Sequence, residues 1–218
     1  MKKALPSQKG GAHILQACLW LSIFLAGCIG PTKPQIQINQ YLIDYPAPLF
    51  EKQVPIDDTL KLDRFTIAST YNNLRMIFRR DNCAVDSFSY SRWAVNPADM
   101  VADYLLRDLQ QGGLFRAVFS HYALDEGRYV LQGGVEEFFL RMDKTSHVAI
   151  VSLEVTLMDK KQREATKRIL FQRKYREEEL LKAQSPEGFC NAMSVAVERL
   201  SRRIANDIYQ AIPATPSK

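Results

Sequence analysis

No apolar run in this 218-residue chain reaches the roughly 20 residues that a helix needs to cross a bilayer. The longest, residues 12–26, is interrupted by His13 and Gln16. Histidine is scarce. After residue 27 only His121 and His147 occur, far apart in the chain, and both read as structural. A Gly-x-Ser-x-Gly elbow, an HExxH helix and a phosphate-binding P-loop are all missing. Those absences argue against hydrolase, zinc-peptidase and ATPase chemistry. Glu136 and Glu137 are adjacent in a strand-like segment, so they are expected on opposite faces and not as an acid–base pair. Neither a CxxC pair nor a neighbouring histidine supplements the few cysteines, so no metal site is expected. The chain reads as non-enzymatic and without a cofactor.

Acid is also missing from the N-terminal segment. Lys2, Lys3 and Lys9 precede the apolar run, and no Asp or Glu occurs before Cys28. A positive start followed by a short apolar stretch is the secretory pattern. The run closes on Leu25-Ala26-Gly27-Cys28. This resembles the bacterial lipobox, in which small residues expose the bond before a cysteine to the processing peptidase. The reading that follows is a signal peptide over residues 1–27 and a lipidated Cys28, carrying diacylglycerol and an N-acyl chain. At roughly 0.8 kcal/mol per buried CH₂, two or three such chains hold a protein on a membrane essentially without release. Ile29 stands where lipoproteins kept at the inner membrane usually carry Asp, which favours the outer membrane. Residues 28–35 read as the lipidated cysteine and a Pro-rich tether.

Removing residues 1–27 takes three lysines from the 29 basic residues, leaving 26 against 24 acidic ones. The headline charge of +5 is therefore partly the signal peptide, and nucleic-acid binding, which wants a clustered basic face, is not expected. The remaining length suits one domain, residues 36–212, followed by a frayed tail over 213–218. Once Cys18 is cleaved away and Cys28 lipidated, Cys83 and Cys190 are left. In an oxidising periplasm they are a candidate disulfide, with two separate buried thiols as the alternative.

Strand-like alternation is expected over 36–43, around Leu74, Met76 and Phe78, and over 83–90. Residues 44–58, with Pro46, Pro48 and Pro55, read as a loop, and 60–67 as a strand whose phase slips after Leu62. A helix opens at Asn96-Pro97, where Asn caps and Pro suits the first turn, and ends at Gly112-Gly113. Further strands are expected over 115–124, over 129–142 with Gly133-Gly134 inside, over 149–157, and from Ile169 through Tyr175. The last three form an antiparallel meander. Residues 174–182 (KYREEELLK) read as a solvated linker or short helix. A second helix starts at Ser185-Pro186-Glu187 and holds an apolar stripe from Phe189 to Ile208. The expected class is α+β, a mostly antiparallel sheet with two amphipathic helices on one face.

In this order of elements, the segment Tyr90-Ser91-Arg92-Trp93-Ala94, with Pro97, Met100, Leu105, Leu109, Gly113 and Phe115 after it, resembles the ABC-type transport auxiliary lipoproteins. Tyr41-Leu42, Leu131, Gly133, Val135, Phe138 and Leu157-Asp159 extend the resemblance over nearly the whole mature chain. It implies an outer-membrane-side accessory to an ABC permease, its ATPase and an MCE-domain protein. Such systems move lipids or other hydrophobic molecules across the envelope.

Arg92 and Trp93 are candidate partner-binding residues, since Trp and Arg are favoured interface anchors; the alternative places Trp93 in the core under the first helix. Val148, Ile150 and Met158 would make the sheet's second face partly apolar, as a partner surface or as a region covered by the chain itself. Homo-oligomerisation is left open. Two other functions compete with transport: activation or assembly of another envelope complex, and a lipid carrier, which would need an enclosed apolar cavity.

Overall fold

The computed structural model describes residues 37–50, 53–80 and 84–213. The expected signal peptide over 1–27, Cys28 and the expected tether, Cys83 and residues 214–218 lie outside the described residues.

Strand β7 (Tyr129–Met142) is the hub of a nine-stranded sheet. One edge carries β8 (His147–Asp159), antiparallel from Met142↔His147 to Tyr129↔Asp159, and β9 (Ile169–Leu180) lies antiparallel beyond it. The meander is as expected, because short turns suffice to join antiparallel neighbours. The other edge carries three short parallel strands in succession. These are β2 (Ile56–Leu62) at Tyr129–Leu131, β3 (Thr66–Ile67) at Gly134–Val135 and β4 (Arg75–Arg80) at Leu140–Met142. Outside β2 lies β6 (Phe115–Phe119), parallel to it. Outside β4 lie β5 (Ala84–Trp93), antiparallel, and then β1 (Asn39–Tyr41), parallel to β5. The long ladders are antiparallel and the short ones mostly parallel, so the α+β class holds with a mixed sheet. The phase slip after Leu62 marks the break between β2 and β3, and β2 already starts at Ile56, inside the stretch read as a loop.

Helix α1 (Pro97–Gln111) starts where Asn96 accepts a hydrogen bond from the Ala98 amide at 3.0 Å. It ends before Gly113, whose φ of 65° suits a residue without Cβ. A single turn, α2 (Ala165–Arg168), joins β8 to β9. Helix α3 (Pro186–Ala211) is capped by Ser185, which accepts from the Gly188 amide at 3.0 Å. Both long helices lie on the face of the sheet that carries Val151, Leu153, Val155 and Leu157. Phe189, Met193, Ala196, Val197, Leu200, Ile204 and Ile208 of α3 are almost wholly buried, as are Met100, Val101, Leu105 and Leu109 of α1. At about 1.5–3 kcal/mol per buried large aliphatic or aromatic side chain, this layer dominates the stability of the fold.

Residues 174–182 are neither linker nor helix: β9 runs on through them to Leu180. Its charges have partners on both sides, which hides the alternation. Toward α3, Glu177 pairs with Arg203 and Glu179 with Arg199; on the other face Lys174 pairs with Glu136 and Arg176 with Glu137. The register of β7 shifts between Val135 and Glu137, a bulge that turns Glu136 and Glu137 to the same outer face. Glu136 meets Ser152 Oγ at 3.0 Å and Lys174 Nζ at 2.6 Å, while Glu137 meets Arg176 at 2.9 Å.

The outer face near Val148 and Ile150 is covered by the chain itself. Ile150, 1% exposed, lies between Phe139 and Glu178 in the ladder. The Tyr71 ring stacks on Phe139 at 6.1 Å, and the Arg79 guanidinium sits 4.1 Å from the same ring. Arg141 and Arg176 both pair with Glu178 over this area. Those residues therefore offer no free apolar surface.

Candidate functional site

Arg92 and Trp93 end β5 and fall on opposite faces, as successive strand residues must. Trp93 is 1% exposed. Its ring packs edge-on against Phe138 of β7 and Phe189 of α3, each at 5.3 Å. It locks the start of α3 to the sheet and is a core residue, so it is removed from the partner-binding pair. Arg92 is exposed. Directly opposite it in the β4–β5 ladder stands Arg75, also exposed, and Gln40 of β1 is its partner on the other side. Two like charges opposed across a ladder repel, and the sequence alone did not reveal this pairing.

A buried polar centre was also hidden from sequence reasoning. Asp108 of α1 is 0% exposed. Its carboxylate accepts from Tyr45 Oη at 2.9 Å, from Ser201 Oγ of α3 at 2.6 Å and from two Arg107 nitrogens at 2.9 and 2.7 Å. Arg107 also donates to the Tyr45 carbonyl at 2.9 Å and lies over the Tyr45 and Tyr104 rings. Burial and the nearby carboxylate drive the Tyr45 phenol far above its usual range. Both oxygens of the buried carboxyl are satisfied, which makes this a structural joint between α1, α3 and the loop after β1. The signal available in the sequence was that Asp108 falls on the same helical stripe as Val101 and Leu105.

At the other end of the sheet, Arg128 joins three strands, pairing with Asp58 of β2 and with Asp159 of β8 at 3.1 Å. Burial raises the Asp159 pKa, but the Arg128 hydrogen bonds and the Lys161 amide outweigh it and hold the carboxyl below its ordinary value.

Cys190 is a free, buried thiol that donates to the Leu42 carbonyl at 3.1 Å. Burial, with Asp44 and Glu187 nearby, pushes its pKa up to about 11. The candidate disulfide with Cys83 falls outside the described residues. Ala84, next to Cys83 in sequence, opens β5, whereas Cys190 follows Phe189 beside Trp93 at that strand's other end. Nine residue steps of strand separate those ends by up to about 30 Å.

His121 packs against Tyr122 at a tilt in the loop before β7, and His147 opens β8, so the fold leaves the two histidines apart. Among the described residues no group of three or more His, Cys, Asp or Glu side chains could hold a metal ion. No helix among them is long and apolar enough to cross a membrane. The gap between the helices and β8, lined by Val101, Leu105, Leu153, Val197, Leu200 and Ile204, encloses no water-sized space. A lipid carrier has no interior cavity there to use.

Comparison with known proteins bears on the whole domain. The family described as ABC-type transport auxiliary lipoprotein component matches residues 41–205. No curated protein matches the sequence. Among solved structures, a protein from Xanthomonas campestris is similar, with 14% identity, a TM-score of 0.71, and coverage of 79% of this chain and 95% of that one. A hypothetical protein from Chlamydia trachomatis is similar at 11% identity and a TM-score of 0.53, over 73% of this chain and 100% of the other. At such identities the likeness concerns the fold alone.

Proposed function

The chain belongs to the ABC-type transport auxiliary lipoprotein component family, and from that premise we propose that it is the outer-membrane-anchored accessory of an ABC transport system containing an MCE-domain protein. It stands on the periplasmic face, held by the lipid on Cys28, and docks the conduit through which lipids or other hydrophobic molecules pass between the membranes. The observation that carries this reading is the family match over 41–205 behind a lipobox at Leu25–Cys28. Three features fit it. The gap between α1, α3 and β8 holds no water-sized space, which suits a docking module better than a carrier that encloses its lipid there. The sequence has no P-loop, so energy comes from a separate ATPase. The charges that cover the outer face are paired within the chain, which leaves docking to other surfaces.

Affinity capture of the tagged chain from solubilised membranes is the test. Recovery of an MCE-domain protein with a permease and an ATPase is the expected result. Recovery of a β-barrel or an envelope enzyme in their place would overturn the transport reading in favour of an assembly role. Replacement of Cys28 by Ala is expected to release the folded domain from the membrane fraction, and retention there would overturn the anchor.

A further inference from the structure

One corner of the sheet has a surface unlike the rest. Over β7, β8 and β9 the outward-facing cations have carboxylates: Arg141 with Glu178, Lys174 with Glu136, Arg176 with Glu137. At the β1–β5–β4 corner, Arg75 and Arg92 stand opposite each other, and neither has an acidic partner among the described residues. Beside them lie apolar side chains open to solvent. Tyr90 is 58% exposed, Leu42 47% and Ile38 40%. These residues share a face. Gln40 is level with Arg92, so Ile38 and Leu42, two residues to either side of Gln40, point the same way. Along β5 exposure alternates through Tyr90, Ser91, Arg92 and Trp93, with Tyr90 and Arg92 outward.

The position of this corner in the chain matters as much as its composition. Ile38 lies ten residues after Cys28, a separation that an extended chain spans with at most about 36 Å. Two cations without acidic partners and three open apolar side chains thus lie in the part of the fold that follows the tether in the chain. We propose that the β1–β5–β4 corner seats on the anionic phosphate surface of the membrane that holds the lipid anchor. Arg75 and Arg92 take lipid phosphates, for which a planar guanidinium is well shaped. Tyr90, Ile38 and Leu42 enter the interfacial layer, where an aromatic ring with a polar tip is favoured. Seated lipid also removes the repulsion between the two opposed arginines. This inference rests on the anchor reading for Cys28 and adds a fixed orientation to it.

The test uses the full lipidated chain in vesicles of phosphatidylethanolamine and phosphatidylglycerol containing brominated acyl chains. Tyr90→Trp places a fluorophore on the corner. Tyr122→Trp places one in the exposed loop before β7, at the end of that strand far from Leu140, where β4 joins it. The expected result is quenching of the Tyr90→Trp indole well beyond that of Tyr122→Trp. The excess is expected to vanish when Arg75→Glu and Arg92→Glu are added, with near-ultraviolet circular dichroism unchanged. Equal quenching of the two indoles in a chain that still floats with the vesicles overturns the seating and leaves the anchor standing. Failure of the unaltered chain to float overturns both. Burial of the Tyr90→Trp indole in lipid-free detergent as protein concentration rises assigns the corner to a second copy and overturns the proposal.

Discussion

Asp108 of α1 accepts a hydrogen bond from Ser201 of α3 at 2.6 Å, and both side chains are buried. Through this contact a single carboxyl group in the core ties two helices and the Tyr45 loop together, and its removal takes the acceptor from four donor groups on Tyr45, Arg107 and Ser201.

Replacement of Asp108 by Ala is expected to destabilise the domain by about 3–5 kcal/mol, because the Arg107 charge and the Tyr45 and Ser201 hydroxyls lose their partner. Ser201→Ala removes one hydrogen bond to a charged group and is expected to cost about 1.5–3 kcal/mol. Urea unfolding midpoints of the two variants check the order.

Trp93 and Arg92 are neighbours in sequence with opposite consequences. Trp93→Ala empties a pocket between Phe138 and Phe189 and is expected to cost about 3–5 kcal/mol. Arg92→Ala lies on the exposed face and is expected to change stability by no more than about 0.5 kcal/mol. Chemical denaturation of both variants compares them; a large loss for Arg92→Ala would contradict its exposed placement.

Gly133 lies beneath the Phe65 ring. A Cβ at this position would meet the ring at 2.4 Å. Gly133→Ala is therefore expected to displace Phe65, itself only 4% exposed, and to destabilise by about 1–3 kcal/mol through overpacking. Pairing Gly133→Ala with Phe65→Leu is expected to recover part of that loss in the same unfolding measurement.

Cys190 is expected to resist thiol reagents in the folded protein. With a pKa near 11 only about one thiol in a thousand is ionised at pH 8, and burial blocks access to it. In a Cys83→Ser variant, reaction with a chromogenic disulfide is expected only after denaturant is added, and non-reducing electrophoresis of the unaltered chain is expected to show no shift on reduction. A reduction-dependent shift would establish a bridge to Cys83.

Acid is expected to weaken the fold. For Glu178 and Glu136 the dominant influences are the bonds to Arg176 and Lys174, which hold both carboxyls low; Asp159 is held low by Arg128 against the cost of its burial. A folded pKa below the unfolded one contributes stability that is present above the ordinary carboxylate range and is lost as pH falls through the folded value. The melting temperature is therefore expected to be level above about pH 5 and to fall below about pH 4. Asp159→Asn is expected to shallow that fall in thermal melts across the range.

Local patterns in the sequence were sufficient for the parts of the fold whose causes are local. The caps at Asn96 and Ser185, the stop at Gly113, the apolar stripes of α1 and α3 and the alternation of β8 were all legible, because each depends on neighbours within a turn or two. The residues from Tyr90 to Ala94 and those that follow them in order resemble the family, whose match spans 41–205. Gly133 was legible as a position of close approach, but the ring that approaches it was not. The β7 bulge brought Glu136 and Glu137 to one face, and α3 supplied the arginines that turn a charged run into an edge strand. Only the tertiary structure decided these points, along with the Asp108 joint, the burial of Trp93 and the pairing of Arg75 with Arg92. Each depends on a partner distant in the chain: Phe189 lies almost a hundred residues from Trp93, and Ser201 is separated from Asp108 by 93. Such pairs form where separate elements pack, a contact that periodicity and capping along one segment cannot encode.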